Sequence, residues 1–485
     1  MKRRILVIVP LFITPTDAES IKHDLSKCAW QGTTIDVIGN KGNVAVNSRS
    51  ESDIAATEFI RSVICAEKDG YDAVISYCYA GVGVEAARER VNIDVIGPLE
   101  TSAIVANLLG TKFSAITIET AVAYMQPRLK FLGLDANYVS TKGISLSKYF
   151  IFSEDRERVR VTQDALEEEC KKALGDGADA LILACTGFPP AEKLKEEIDV
   201  PLVESSVTVK IAEILTDLRS MSYSQNHTNT ELSTNQSQRC DIRIKLLVPT
   251  SSYDELGEIT GLQDFIGPNT EARIVRFKKG PKNIESAYDM SLVAPFIVKE
   301  SSTAKTEGFD AIVIASSLDP ALASGREVSD IPVVGSGETS MMLACEYGDF
   351  SILTQNIKTL KLRQRIVRKL GIAQKIVSMR CLNENPKSSN IGLPEEIEEE
   401  RKNGADAIVL DRSNSLGLLN RCQSELRIPV ITPVPAAIKM AEALHSLALT
   451  HSRRAYPRPV MPAYHIQRLK KLRNAPKNNM FLYKK

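Results

Sequence analysis

Histidine is scarce in this chain: there are five in 485 residues, and His23 stands alone in the body of the first half. No HExxH, no Walker loop and no strand-anchored GxGxxG occurs, so the usual signatures of zinc hydrolysis, nucleotide hydrolysis and dinucleotide binding are missing. Nine cysteines are present without any CxxC spacing and read as reduced cytosolic thiols. Charge of one sign is also lacking. A formal net charge of +1 gives no global electrostatic case for nucleic acid. No apolar run approaches the ~18 residues of a membrane span. What remains is 43% hydrophobic and 25% charged, ordinary globular composition with enough apolar material for roughly two to four domains.

The opening "MKRRILVIVPLFI" imitates a secretion signal, but Pro10 interrupts it, no small-residue cleavage site follows closely, and "IKLLVP" recurs at 244–249. A buried strand explains both, and the expected location is cytoplasmic. There the glycosylation patterns "NHT" and "NQS" would stay unmodified.

That recurrence belongs to a longer one. "GYDAVISYC" (70–78) matches "GFDAIVIAS" (308–316), and "IDVIGPLETSA" (93–103) matches "IPVVGSGETSM" (331–341) at the same offset. "GADALILAC" (177–185) matches "GADAIVLDR" (404–412), and "DVPLVES" matches "RIPVITP". A repeat of this length is a duplicated domain. The expected divisions are a first domain at 1–219, a flexible polar linker at 220–241, a second domain at 242–452 and a basic tail at 453–485. Within each copy, short Val/Ile/Leu runs alternate with amphipathic helical patterns, and Gly70 and Gly175 sit where helices should end. The alternation predicts α/β architecture with mostly parallel sheets flanked by helices, where ligands bind at the carboxyl ends of strands.

Two cysteines fall at such ends. Cys78 closes "DAVISYC" and Cys185 closes "DALILAC"; each precedes a Gly-containing turn and a helical pattern. One strand-end cysteine is ordinarily core filler. A matching pair has more to say, because both thiols would lie by helix N-terminal amides that favour the thiolate. The remaining seven cysteines read as inert. Two opposed thiols suit racemisation beside a carbonyl: one thiolate removes the proton and one thiol returns it on the other face. That chemistry requires no metal and no organic cofactor. The two sulfurs are expected to face each other across a cleft, with Cα atoms beyond the ~7 Å disulfide limit.

Paired "YCYAG" and "ACTGF" on a repeated α/β sheet resemble the aspartate/glutamate/hydantoin racemase superfamily. Residues 3–220, with "IGPLETSA", look most like its hydantoin and allantoin branch. The resemblance implies two α/β lobes per copy with the active site between them. It implies Cys78 and Cys185 as the proton-transfer pair, and backbone around Tyr79, Ala80, Thr186 and Gly187 holding substrate oxygens. Thr117 and Thr120 are weaker candidates and read equally well as strand-end threonines. Where that branch shows an Asn-Pro-Asn-Ser/Thr turn, this chain has "VPLFITPT", which leaves the substrate open.

The second copy keeps the scaffold signals and loses both thiols: Ser316 stands for Cys78 and Arg412 for Cys185. Neither side chain shuttles protons as a thiol does. It reads as a degenerate partner, with Arg412 expected to pair with Asp411 or Glu338 and close its cleft. The leading function is a cofactor-independent racemase acting on a hydantoin-like or amino-acid substrate in the first copy. The alternatives are a maleate-type isomerase with one nucleophilic cysteine, a malonate decarboxylase, or a non-catalytic binding protein. Expected partners are a small-molecule substrate, with no nucleic acid and no membrane, in an intramolecular pseudo-dimer or a homo-oligomer.

Overall fold

The computed structural model describes residues 2–40, 49–145, 156–189, 191–220, 241–251, 262–277, 280–382, 393–411 and 428–459. The linker expected at 220–241 lies outside these residues beyond Ser220 and Asp241, as do Cys240, Arg412, Cys422 and the tail from residue 460.

Sixteen described strands form four sheets. The first holds β1 (Arg3–Val9), β2 (Thr33–Gly39), β3 (Ala73–Ser76) and β4 (Asp94–Ile96); the second β5 (Phe113–Ile118), β6 (Tyr138–Ile144), β7 (Ala180–Leu183) and β8 (Leu202–Val203). The third holds β9 (Ile242–Val248), β10 (Thr270–Arg276), β11 (Ala311–Ile314) and β12 (Val333–Gly335); the fourth β13 (Phe350–Thr354), β14 (Ile376–Cys381), β15 (Ala407–Asp411) and β16 (Val430–Ile431). Every pairing is parallel. Each sheet runs in the order second, first, third, fourth strand. The chain is therefore four lobes, two per copy. Even an irregularity repeats: register shifts between Phe113 and Ala115 where β5 meets β6, and between Phe350 and Ile352 where β13 meets β14.

One motif explains the fourfold likeness. "GYDA", "GADA", "GFDA" and "GADA" each precede the third strand of a sheet. Their glycines carry φ of 76°, 99°, 81° and 98°, the left-handed turn that ends the preceding helix. In the second lobe this residue is Gly177; Gly175, expected to end the helix, is its last residue. Their aspartates accept a backbone N–H at or just before the start of the neighbouring strand: Asp72 from Arg4 (2.7 Å), Asp179 from Lys112 (2.9 Å), Asp310 from Arg243 (2.8 Å) and Asp406 from Asp349 (2.9 Å). An otherwise unpaired donor is satisfied the same way four times.

The copies share one core. Helices Pro98–Leu109 and Val207–Ser220 of the first pack against Ser336–Ala344 and Pro433–Ser446 of the second. The first, third and fourth of these are buried along most or all of their length, the condition that an apolar sequence all round a helix requires. Buried charges are paired there: Arg3 with Asp217 (2.6 Å), Lys439 with Asp217 across the copies (3.1 Å), Lys210 with Glu213 and Lys439 with Glu442 (both 3.1 Å). Glu213 accepts the Trp30 N–H and Glu442 accepts the Gly267 N–H, each at 2.7 Å, so the arrangement repeats with the duplication. Lys210, Lys439 and Arg3 surround the Trp30 ring, 4.5, 5.0 and 5.4 Å from its centroid. The start of the segment expected as a basic tail packs on the body: Arg453 donates to the Arg326 and Glu327 carbonyls at 3.2 Å, and Tyr456 is buried. Among the described residues no helix is long and apolar enough to cross a membrane.

Candidate active site

β3 and β7 occupy the same place in the two lobes of the first copy, and each ends at a cysteine-bearing turn. After β3 the chain bonds back at once: Tyr77 N–H to Ile8 (2.9 Å), Cys78 N–H to Ser76 (2.8 Å) and Gly81 N–H to Cys78 (3.0 Å). Gly81 and Gly83 have φ of 66° and 70°, which glycine adopts without a steric cost. After β7, Ala184 N–H bonds Ile116 (2.7 Å) and Phe188 N–H bonds Cys185 (3.2 Å). The two turns meet, because Thr186 Oγ1 donates to the Tyr77 carbonyl at 3.4 Å. The residues flanking the two thiols are thus in contact across the lobes. Both cysteines are free and half-buried.

The helices expected directly behind these turns are short and begin later, at Val84 and Glu192. The thiols therefore lie among the turn amides rather than at a helix end. Burial pushes the Cys185 thiol up to about 12; the Gly187 and Phe188 N–H groups pull it down and a charge on Cys78 pushes it up. Burial likewise raises Cys78, against the Ala80 N–H. Desolvation outweighs the amide field, so the resting pair is biased toward thiols and not, as the helix-end reading implied, toward thiolates. The thiols also sense one another, which disfavours ionising both.

The other expected site residues divide by position. Ala80 and Gly187 direct their amides at the two sulfurs. Thr186 joins the lobes. The Tyr79 ring is buried, with its hydroxyl 3.1 Å from Ser102 Oγ. Thr117 is buried and donates to the Ala184 carbonyl at 2.8 Å, holding the residue before Cys185, while Thr120 is exposed. Among the described residues no cluster of three or more His, Cys, Asp or Glu side chains is grouped as a metal site.

Two features escaped the sequence. Behind the Cys78 turn, Arg128 lies against Gly81 so closely that an added Cβ would sit 2.5 Å from the guanidinium. Arg128 pairs with Glu85 and reaches Glu100 (3.5 Å), and Glu100 pairs with Arg88 (2.8 Å). Arg88 and Arg326 share the sequence offset of Glu100 and Glu338, a signal that was available. In the second copy, Arg363 is fully buried and bonds both Asp411 and Ser317. The carboxylate partner expected for Arg412 is thus taken by a different arginine, from the helix Leu360–Leu370, at the place of Met125 in the first copy. Arg412 itself is outside the described residues.

The family model described as Asp/Glu/Hydantoin racemase matches residues 18–212 and again 244–441. A hydantoin racemase from Pseudomonas sp. (strain NS671) is 31% identical over 209 residues, spanning 40% of this chain and 83% of the relative. One from Paenarthrobacter aurescens is 28% identical over 235 residues, spanning 46% of this chain and 100% of the relative. Among solved structures, an allantoin racemase from Klebsiella pneumoniae is 29% identical with a TM-score of 0.42, covering 46% of this chain and 96% of its own.

Proposed function

The chain belongs to the Asp/Glu/Hydantoin racemase family, and we propose that its first copy inverts a carbon α to a carbonyl by proton transfer between Cys78 and Cys185, on a hydantoin-like or amino-acid substrate. In this reading residues 1–219 form the catalytic domain and 242–452 a degenerate domain that has lost the chemistry.

The carrying observation is the meeting of two free-thiol turns, one from each lobe, through Thr186 and the Tyr77 carbonyl. A substrate between the lobes presents opposite faces to the two sulfurs. One Sγ, as thiolate, takes the α-proton; the bond electrons move into the carbonyl to give an enolate; the other Sγ–H returns a proton to the opposite face. Atoms and charge balance without a co-reactant, and the thiols exchange roles with each inversion. The mutual influence of the thiols disfavours the doubly ionised pair, so the loss of one proton leaves one thiolate facing one thiol, the state this cycle needs. In this reading the backbone amides around Tyr79, Ala80, Thr186 and Gly187 hold the substrate oxygens on which charge develops.

The test is incubation in deuterium oxide with hydantoins, allantoin, aspartate and glutamate, followed by NMR of the α-proton and by chiral analysis. Deuterium incorporation with inversion supports the reading. Inversion that retains the original proton at every conversion would exclude an exchanging thiol pair, and no turnover of any member would return the chain to the binding-protein alternative.

A further inference from the structure

The first-copy site has a support that the first copy does not contain. Glu346, in the residues after helix Ser336–Ala344 of the second copy, is buried against the first copy. It accepts from Thr101 Oγ1 (3.0 Å) and lies 3.7 Å from the Arg88 guanidinium. Arg88 in turn bonds Glu100 (2.8 Å) and the Val95 carbonyl (2.9 Å), Glu100 faces Arg128, and Arg128 backs Gly81, whose N–H closes the Cys78 turn. A line of polar contacts thus runs from the Glu346 carboxyl, which burial and the nearby Glu100 push up to about 8, through Arg88, Glu100 and Arg128 to the turn carrying one of the two thiols. No comparable line reaches Cys185 among the described residues; its turn is held by Thr117, Thr186 and the Phe188 N–H.

The second copy's own version ends differently. Arg326 pairs with Glu338, the counterparts of Arg88 and Glu100. There the third member is the Tyr456 hydroxyl, at 3.1 Å from Arg326. The position homologous to Glu346 in the first copy is Leu108, an apolar side chain. At this position only the copy that carries the thiols receives a carboxyl group from its partner.

We propose that Glu346 is a positioning residue for Cys78: the degenerate copy holds one arm of the proton-transfer pair in place through Arg88, Glu100 and Arg128. The proposal rests on the two-cysteine reading above, and its test separates the two. A support for one thiol alone has an asymmetric consequence. Displacing Cys78 impairs abstraction from the enantiomer whose proton Cys78 removes, while exchange started by Cys185 continues.

The experiment uses the full-length chain with Glu346→Gln and Glu346→Ala. The first readout needs no substrate: alkylation of Cys78 relative to Cys185 by iodoacetamide, followed by peptide mass spectrometry in one sample. The ratio should shift at least about threefold in Glu346→Ala and less in Glu346→Gln, since thiol reactivity follows local environment. Emission of Trp30, the sole tryptophan, reports whether the copies remain docked. The second readout is kinetic. In Glu346→Ala, kcat should fall about tenfold with KM nearly constant, and α-proton exchange in deuterium oxide should fall for one enantiomer more than the other. An unchanged alkylation ratio in both variants would overturn the proposal, as would exchange that declines equally for both enantiomers. If Glu346→Ala undocks the copies, the Glu346→Gln ratio decides. A shifted ratio in a protein that racemises nothing would sink the two-cysteine reading and leave the support of Cys78 standing.

Discussion

The turn at Cys78 and the turn at Ser316 have the same backbone and different chemistry. In the first, N–H groups of Tyr77, Cys78, Gly81 and Val84 bond Ile8, Ser76, Cys78 and Gly81 at 2.9, 2.8, 3.0 and 3.4 Å. In the second, Ala315, Ser316, Asp319 and Leu322 bond Leu247, Ile314, Ser316 and Asp319 at 2.9, 2.9, 3.0 and 3.3 Å. The side chains have been exchanged around that frame. Ser316 replaces the thiol, Ser317 replaces Tyr79, and Arg363 bonds Ser317 and Asp411 in the space this opens. Asp319 replaces Gly81 and turns its carboxylate onto the Gly337 and Glu338 amides at 2.9 and 2.6 Å. A scaffold specified by backbone bonds tolerates loss of the chemistry, and the second copy has replaced reactive groups with groups that hold the fold.

The largest expected effect breaks that comparison at the thiol. Cys78→Ser gives the first turn the second's residue at the thiol position, and should abolish racemisation because a hydroxyl is too weak an acid to take the thiol's part. Cys185→Ser should do the same. The two variants should retain slow α-proton exchange with opposite enantiomers, which chiral substrates in deuterium oxide will show. Exchange lost for both enantiomers in both variants would mean that the thiols act together in a single abstraction step.

Separating the copies should come next. The first copy alone, residues 1–220, would expose a helix buried along nearly its whole length and the buried ions Lys210, Glu213 and Asp217. Arg3–Asp217 and Lys210–Glu213 stay paired within the fragment and only Lys439 is lost, so the uncovered apolar helix surface is the main liability. The fragment should therefore associate with itself or fail to fold as a monomer, by sedimentation and Trp30 emission; a stable active monomer would show the interface to be dispensable.

A third effect is the pH profile. Burial raises both thiols, so the thiolate fraction is small at neutrality and grows as pH rises. The reaction needs one thiolate and one thiol. kcat/KM should climb above pH ~7 and reach its maximum beyond the ordinary thiol pKa of ~8.5, then fall once both ionise. An optimum below neutrality would show that the turn amides overcome desolvation in the free enzyme.

Arg363→Met restores at one position the residue type of the first copy. It leaves Asp411 without its buried cation, a change that costs about 3 kcal/mol where one member of a buried pair is removed. Thermal unfolding should show the loss, while kcat of the folded enzyme stays near wild type, because the change lies wholly in the second copy. A kcat that fell in step with stability would mean that the second cleft communicates with the first.

The parts of this arrangement that were legible from sequence have one origin. Strand runs, the paired "G-x-D-A" turns and the duplication are backbone requirements, and backbone requirements repeat. Cys78 and Cys185 stood out because they interrupt that repetition. What could not be read is contact between distant side chains. Nothing local in "MQPRLKF" places Arg128 behind Gly81, and nothing in "KLRQRIV" brings Arg363 to Asp411. Glu346 is further removed still, since its partners Arg88 and Thr101 belong to the other copy. The bias of the thiols was misjudged for a related reason: a helix pattern after a turn does not reveal where the helix begins, or how much burial opposes its field.

The smallest effect tests whether glycine or the fold imposes the shared turn. Gly83 has φ of 70°, and its counterpart Ala321 holds 54° with a side chain. A non-glycine residue in this region costs about 1–2 kcal/mol. Ala321→Gly removes that strain but returns about 0.4–1 kcal/mol of entropy to the unfolded chain. It also gives up part of a packed methyl, with full burial of such a group worth about 0.8 kcal/mol. These contributions nearly cancel, so Ala321→Gly should lie within about 0.5 kcal/mol of wild type in chemical denaturation. The reverse change does not cancel. A Cβ at Gly83 would sit 3.0 Å from the Phe59 ring and 3.2 Å from Ala56, in a helix that cannot yield without moving the first sheet's cover. Gly83→Ala should therefore cost about 2 kcal/mol, strain and crowding together. Equal and opposite changes would mean that the residue sets the turn; a neutral Ala321→Gly beside a costly Gly83→Ala would mean that the fold sets it, and that the second copy has relaxed its packing to accept a side chain there.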